Sequence, residues 1–158
     1  MRNSYWVIGT GAIGSYVGMC LHQTNAAVVF HCRSNYESIQ TNGLTVSNNK
    51  LTWTSTNLLL SNDFSKAPSC TVGLLCTKSS DNDRVLSDLA KTAYPKIIIC
   101  MQNGIGLEEK ILHYLPDITV ITTVCFIKVT PRSPHHFHHD FGKMIALAQY
   151  DPTTQSYL

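Results

Sequence analysis

Three glycines at positions 9, 11 and 14, in the stretch WVIGTGAIGSYVG (residues 6–18), have the spacing G-x-G-x-x-G. That spacing suits one task, the close approach of a backbone to a pyrophosphate. Gly9 would take the dihedrals of a tight turn, Gly11 would leave the anion unobstructed, and Gly14 would let a helix pack closely on a strand. A helix opening at Ala12 and Ile13 would then turn its unpaired N–H groups and positive dipole end toward the phosphates. A glycine-rich bend that binds nothing is the alternative, and the flanking residues weigh against it. Ser4-Tyr5-Trp6-Val7-Ile8 reads as a buried strand, and Ala12 to Thr24 carries Ile13, Tyr16, Val17, Met19, Cys20 and Leu21 roughly at helical spacing.

A second strand, Ala26 to Cys32, ends in Arg33 and Ser34, and no Asp or Glu occurs between Gly14 and Glu37. Dinucleotide folds that take NAD place an acid about 20 residues past the glycines, to hold the ribose 2′-hydroxyl. An arginine there holds a 2′-phosphate instead, with a charge-assisted pair on the order of 1.5–3 kcal/mol. A solvated loop arginine is the alternative. The pattern reads as an NADP(H) site.

Further candidates fall at the ends of later apolar runs. Lys78 follows Val72 to Cys76, Gln102-Asn103-Gly104 follows Ile97 to Cys100, and Thr122, Thr123 and Cys125 follow the run after that. A lysine neutralises phosphate or carboxylate, and an amide donates and accepts beside a ribose or nicotinamide. Each alone is an ordinary loop residue; together, on the face where Gly11 would present a pyrophosphate, they make a cleft. The stretch SPHHFHHD (residues 133–140) tempts toward a metal, but neighbouring histidines on a strand point to opposite faces. A polar hairpin leading into a strand at Met144 is the better reading, with no metal site.

The elements that must position these residues alternate between strand and helix. After a short helical turn at 35–40, two alternating runs around Ser47-Asn48-Asn49-Lys50 predict a small hairpin at a sheet edge. Strands follow at 71–76, 96–101, 119–123 and 143–148, with helices at 82–94, closed by Pro95, and at 107–115. The expected fold class is α/β, a Rossmann-like, doubly wound and mainly parallel sheet with helices on both faces. Ligands in such sheets sit beyond the carboxyl ends of the strands.

Length and composition fit that reading. With 158 residues, 44% hydrophobic, the chain suits one domain, placed at 1–150. A net charge of +2 gives no basis for a nucleic-acid or membrane partner. No apolar stretch reaches spanning length, and the start lacks a signal-peptide pattern. The six cysteines include no C-x-x-C pair and four sit in or at the ends of apolar runs, as reduced, buried thiols do, so a cytoplasmic location is expected.

With these residues in view, the chain resembles the ketopantoate reductase (2-dehydropantoate 2-reductase) family over nearly its whole length. IGTGAIGSYVG is similar to that family's phosphate loop, CRS to its 2′-phosphate site and LLCTKSSDN to its strand ending in a lysine. CMQNGIGLEE and DFGKMIALAQ are similar to its Q-N-G-x-G stretch and closing strand. The resemblance implies that Gly9, Gly11 and Gly14 hold pyrophosphate and that Arg33 holds the 2′-phosphate. It implies Lys78 near a cofactor phosphate and Asn103 near the nicotinamide ribose and the substrate, these two being the candidate catalytic residues. The family has a helical second domain carrying the general acid, whereas residues 151–158 look like the start of a linker. The HHFHH stretch stands where the family's loop is richer in glycine. The expected function is therefore the NADP(H)-binding domain of an NADPH-dependent reductase of a small 2-keto acid, inactive or nearly so by itself. Self-association through the sheet face left uncovered is open to it. A stand-alone NADP-binding sensor or scaffold module is the alternative of another class, and the first domain of another 2-keto or 3-hydroxy acid dehydrogenase is a third reading.

Overall fold

The computed structural model describes residues 4–66, 70–153 and 156–157, without the side chains of residues 144, 156 and 157. At its centre lies β1 (Ser4–Ile8), an apolar run whose alternate side chains serve two cores. Trp6 and Ile8 point to one face and Val7 to the other, all fully buried. On one side β1 pairs in parallel with β2 (Ala27–His31), which pairs with the short β5 (Leu59–Ser61). On the other it pairs with β6 (Val72–Leu75), followed by β7 (Ile97–Cys100) and β8 (Thr119–Ser133), again in parallel. The long β9 (His136–Asp151) returns antiparallel to β8. The predicted hairpin, β3 (Leu44–Ser47) and β4 (Thr52–Ser55), joins the edge of β9. A two-residue β10 (Ser156–Tyr157) also pairs with β9. Of these nine pairings six are parallel, so the sheet is mainly parallel as expected.

Helices cover both faces. On one, α1 (Ala12–Gln23) and α2 (Tyr36–Asn42) bury Met19 and Ile39 against Val7, Phe30 and Leu74. On the other, α3 (Asn82–Leu89) and α4 (Leu107–Tyr114) pack Val85, Leu86, Leu89 and Ile111 against Trp6, Ile8 and Ile98.

Four sequence expectations change. The third helix ends at Leu89 rather than Tyr94, so Pro95 does not close it. Thr92 ends it instead: its N–H and its hydroxyl both donate to the Leu89 carbonyl, at 2.9 and 2.7 Å. Pro95 packs against Gly73 of β6. The last two strands are 15 and 16 residues long, where five or six were expected in each. Register shifts near Phe126, Lys128 and Pro131 interrupt the alternation that would have announced them. Thr122, Thr123 and Cys125 accordingly lie inside β8, not beyond its end, and the histidine stretch belongs to β9 from His136 on. Lastly, β5 carries no sequence alternation and went unforeseen. Of the linker expected at 151–158, residues 154, 155 and 158 lie outside the described residues.

Candidate functional site

At the carboxyl ends of β1, β2, β6 and β7 opens a cleft of about 1220 Å³. Gly9, Gly11, Ala12 and Ile13 line it from the first turn of the fold, and Arg33 and Ser34 from the second. Lys78 and Asn103 face them from the turns after β6 and β7. Of the residues expected to bind the cofactor, all but Gly14 therefore border one space.

The glycine loop shows why. Gly9 has φ +100°, a conformation that L side chains rarely adopt, and a Cβ there would lie 2.7 Å from the Thr77 methyl. Its N–H and that of Thr10 both donate to the His31 carbonyl at 3.2 Å, and the Thr10 hydroxyl donates to the same oxygen at 3.0 Å. The loop is thus pinned to the end of β2. A Cβ on Gly14 would run into the Gly9 carbonyl oxygen, so Gly14 sets how closely α1 approaches β1. At Gly11 the protein makes no such demand, since a Cβ there would meet no atom within 4 Å. Gly11 is also the N-cap of α1, with no side-chain cap and no acid in the first turn. The first intrahelical bond is Ser15 N–H to the Gly11 carbonyl, 2.8 Å, which leaves the N–H groups of residues 12–14 ahead of the ladder. An open backbone at an uncapped helix start fits a pyrophosphate.

At the ribose end, Arg33 is 65% exposed, with Nη1 3.5 Å from the Asp81 carboxylate, a long and weak pair. Arg84, from α3, borders the same part of the cleft, 3.8 Å from Asp88. His31 also borders the cleft, buried and stacked on Phe64 with ring centroids 3.9 Å apart. Burial, seconded by the Arg84 charge, lowers its pKa to about 4, against the opposing pull of Asp63 and Asp88. The imidazole is therefore neutral, and β2 ends without an acid.

Across the cleft, Lys78 precedes the 3-10 turn Ser79–Asp81 that leads into α3. Gln102 and Asn103 part company. Gln102 is 7% exposed and turns inward, giving its amide hydrogens to the Thr77 carbonyl (2.8 Å) and to Asn82 Oδ1 (2.7 Å). Asn82, fully buried, returns a hydrogen bond to Gln102 Oε1 at 2.9 Å. This reciprocal pair locks the turn bearing Lys78 to the turn bearing Asn103, which itself faces the cleft exposed. Gln102 thus supports the site from beneath rather than lining up with a ribose. Thr123 is likewise structural, donating to the Cys100 carbonyl at 2.8 Å. Thr122, Thr123 and Cys125 are not among the residues that line the cleft.

Several lining residues had no sequence signal. Asn62, Phe64 and Arg84 sit on elements whose approach to β2 only the fold decides, and the hairpin tip at Pro131, Ser133 and Pro134 comes from far along the chain. Thr10 and Asn35, inside or beside the quoted motifs, were within reach. The histidines meet hydroxyl and aromatic partners on neighbouring elements. His135 meets Ser38 at 2.9 Å, His136 and His138 both meet Ser47 (2.8 and 3.0 Å), and His139 stacks on Tyr16.

The family model described as ketopantoate reductase PanE/ApbA matches residues 5–152. A 2-dehydropantoate 2-reductase of Nostoc sp. is 32% identical over 153 residues, covering 94% of this chain and 47% of the relative. The crystal structure of 2-dehydropantoate 2-reductase from Geobacter metallireducens superposes with a TM-score of 0.85 at 25% identity, over 94% of this chain and 50% of that one. D-mandelate dehydrogenase, solved with NADH and anilino(oxo)acetate, shares the fold at 22% identity and TM-score 0.80, over 96% of this chain and 50% of its own. The chain thus spans about half the length of the relatives it matches. With a family model covering nearly the whole chain and a cleft built on the same loop that the sequence singled out, this chain belongs to the ketopantoate reductase family and corresponds to about half of such a protein.

Proposed function

We propose that this chain is the NADP(H)-binding domain of a ketopantoate-reductase-like enzyme, one that reduces 2-dehydropantoate or a similar small 2-keto acid in the pathway to pantothenate. The observation that carries the cofactor reading is Gly11, a glycine that none of the described residues requires, at the uncapped start of α1. The N–H groups of Gly11, Ala12 and Ile13 would hold the pyrophosphate. Arg33, with Ser34 beside it, would hold the 2′-phosphate, exchanging its long pair with Asp81 for a closer one. The absence of an acid at the end of β2 favours the phosphorylated cofactor, because a carboxylate there would repel it.

When bound, the cofactor supplies a hydride to the keto carbon of the substrate. Asn103, exposed on the far wall, would orient the nicotinamide ribose and the substrate by donating and accepting. Lys78 would neutralise a phosphate or the substrate carboxylate. The developing alkoxide needs a proton donor, and among the described residues that line the cleft Lys78 is the one suited to that step. Binding without appreciable turnover is therefore the expected behaviour of these 158 residues. Calorimetric titration with NADPH and an assay with ketopantoate test both parts. Turnover at an ordinary enzymatic rate would reject the inactivity, and the Lys78→Ala variant would then show whether Lys78 supplies the proton.

A further inference from the structure

Asn35 occupies the N-cap of α2 but does not cap it: no side-chain hydrogen bond reaches that helix. Asparagine is among the best caps, and a helix that forgoes the bond is less stable for it. The amide is used elsewhere. Its Nδ2 donates to the Thr10 carbonyl at 2.6 Å, and its second hydrogen reaches the Pro134 carbonyl at 3.4 Å. One side chain thus joins the glycine loop, the turn after β2 and the tip of the β8–β9 hairpin.

The bond to Thr10 acts on the next residue. A peptide unit is planar and here trans, so its C=O and the following N–H point in opposite directions. Holding the Thr10 carbonyl fixes the Gly11 N–H, turned away from Asn35 and without a partner among the described residues. A glycine in an open site would otherwise let that plane rotate freely. The Thr10 hydroxyl and N–H, both bonded to the His31 carbonyl, secure the other side of the same residue.

We infer that Asn35 is a positioning residue, which presets the Gly11 N–H for the pyrophosphate of a dinucleotide and ties the hairpin tip to the loop. This rests on the cofactor reading above. Its effect is confined to the pyrophosphate half of the ligand, because the 2′-phosphate is left to Arg33.

Three ligands separate the halves in calorimetric titrations of the full chain: NADPH, ADP (pyrophosphate without a 2′-phosphate) and 2′-AMP (the reverse). Asn35→Ser keeps a good helix cap but cannot bridge the two carbonyls, and Asn35→Ala removes both donors without adding a charge. Both variants are expected to bind NADPH and ADP about ten-fold more weakly, with 2′-AMP changed less than two-fold. Circular dichroism and thermal melts confirm that each variant is folded. Unchanged ADP binding in both variants, or equal losses for ADP and 2′-AMP, would overturn the positioning role while leaving the cofactor reading intact. Failure of the unmodified chain to bind either NADPH or ADP would overturn both.

Discussion

The glycine loop after β1 and the tip of the β8–β9 hairpin border the same cleft, and they are held by different means. The hairpin is held by side chains: His136 and His138 converge on Ser47, His135 meets Ser38, and Phe137 is buried in the core. These four residues are accounted for by contacts within the protein. The loop is shaped by side chains that are missing. Gly9 and Gly14 are demanded by Thr77 and by the loop's own carbonyl, whereas none of the described residues demands Gly11. The position that the protein's own atoms leave unexplained is where a ligand is expected.

That contrast breaks most sharply at the two glycines three residues apart. Gly14→Ala is expected to destabilise the fold by about 3 kcal/mol or more, because its methyl group must displace backbone rather than a flexible side chain. Gly11→Ala should lower the unfolding free energy by no more than about 1 kcal/mol, the cost of alanine at an N-cap, and still weaken NADPH binding at least about ten-fold. A Gly11→Ala chain that unfolds early, or binds NADPH normally, would remove the distinction.

A buried pair, Gln102 and Asn82, joins the turns that carry Lys78 and Asn103. Gln102→Leu leaves the buried Asn82 amide and the Thr77 carbonyl without their partner and is expected to cost about 2 kcal/mol. Thermal unfolding measures it, and no loss would show the pair to be dispensable.

The smallest effect is a slope with pH. His31 takes up a proton near 6.5 in the unfolded chain but only near 4 in the folded one, held neutral by burial and by Arg84. The unfolded state binds the extra proton between those values, so stability should fall as pH drops from 6.5 toward 4 and be insensitive to His31 above that window. Urea midpoints at pH 7.5 and 4.5, compared with those of His31→Phe, isolate this part. An equal slope in the variant would mean that other groups carry it.

How much of this was legible in the sequence follows the same division. The glycine loop, Arg33 and the strand before each were readable because a few neighbouring residues dictate them. Lys78 and Asn103 were readable as residues just past apolar runs, a position that any doubly wound sheet turns toward its ligand. Gln102 was not separable from Asn103, since which of two adjacent amides turns inward depends on Thr77 and Asn82, more than 19 residues away. Arg84 and Phe64 reach the cleft only because α3 and the segment after β5 pack beside β2. The long hairpin was missed because its register shifts erase alternation. Helix α3 was drawn too long because a terminal hydroxyl, not the proline, stops it.

The central claim is that the cleft takes a 2′-phosphorylated nicotinamide dinucleotide at the glycine loop, with Arg33 reading the phosphate. Titrating the chain with NADPH and NADH, alongside Arg33→Ala, tests it most directly. The account predicts that NADPH binds about 10- to 100-fold more tightly than NADH, and that the variant loses this preference while keeping its NADH affinity. Equal binding of the two nucleotides by the parent chain, or a preference that survives in Arg33→Ala, would contradict it.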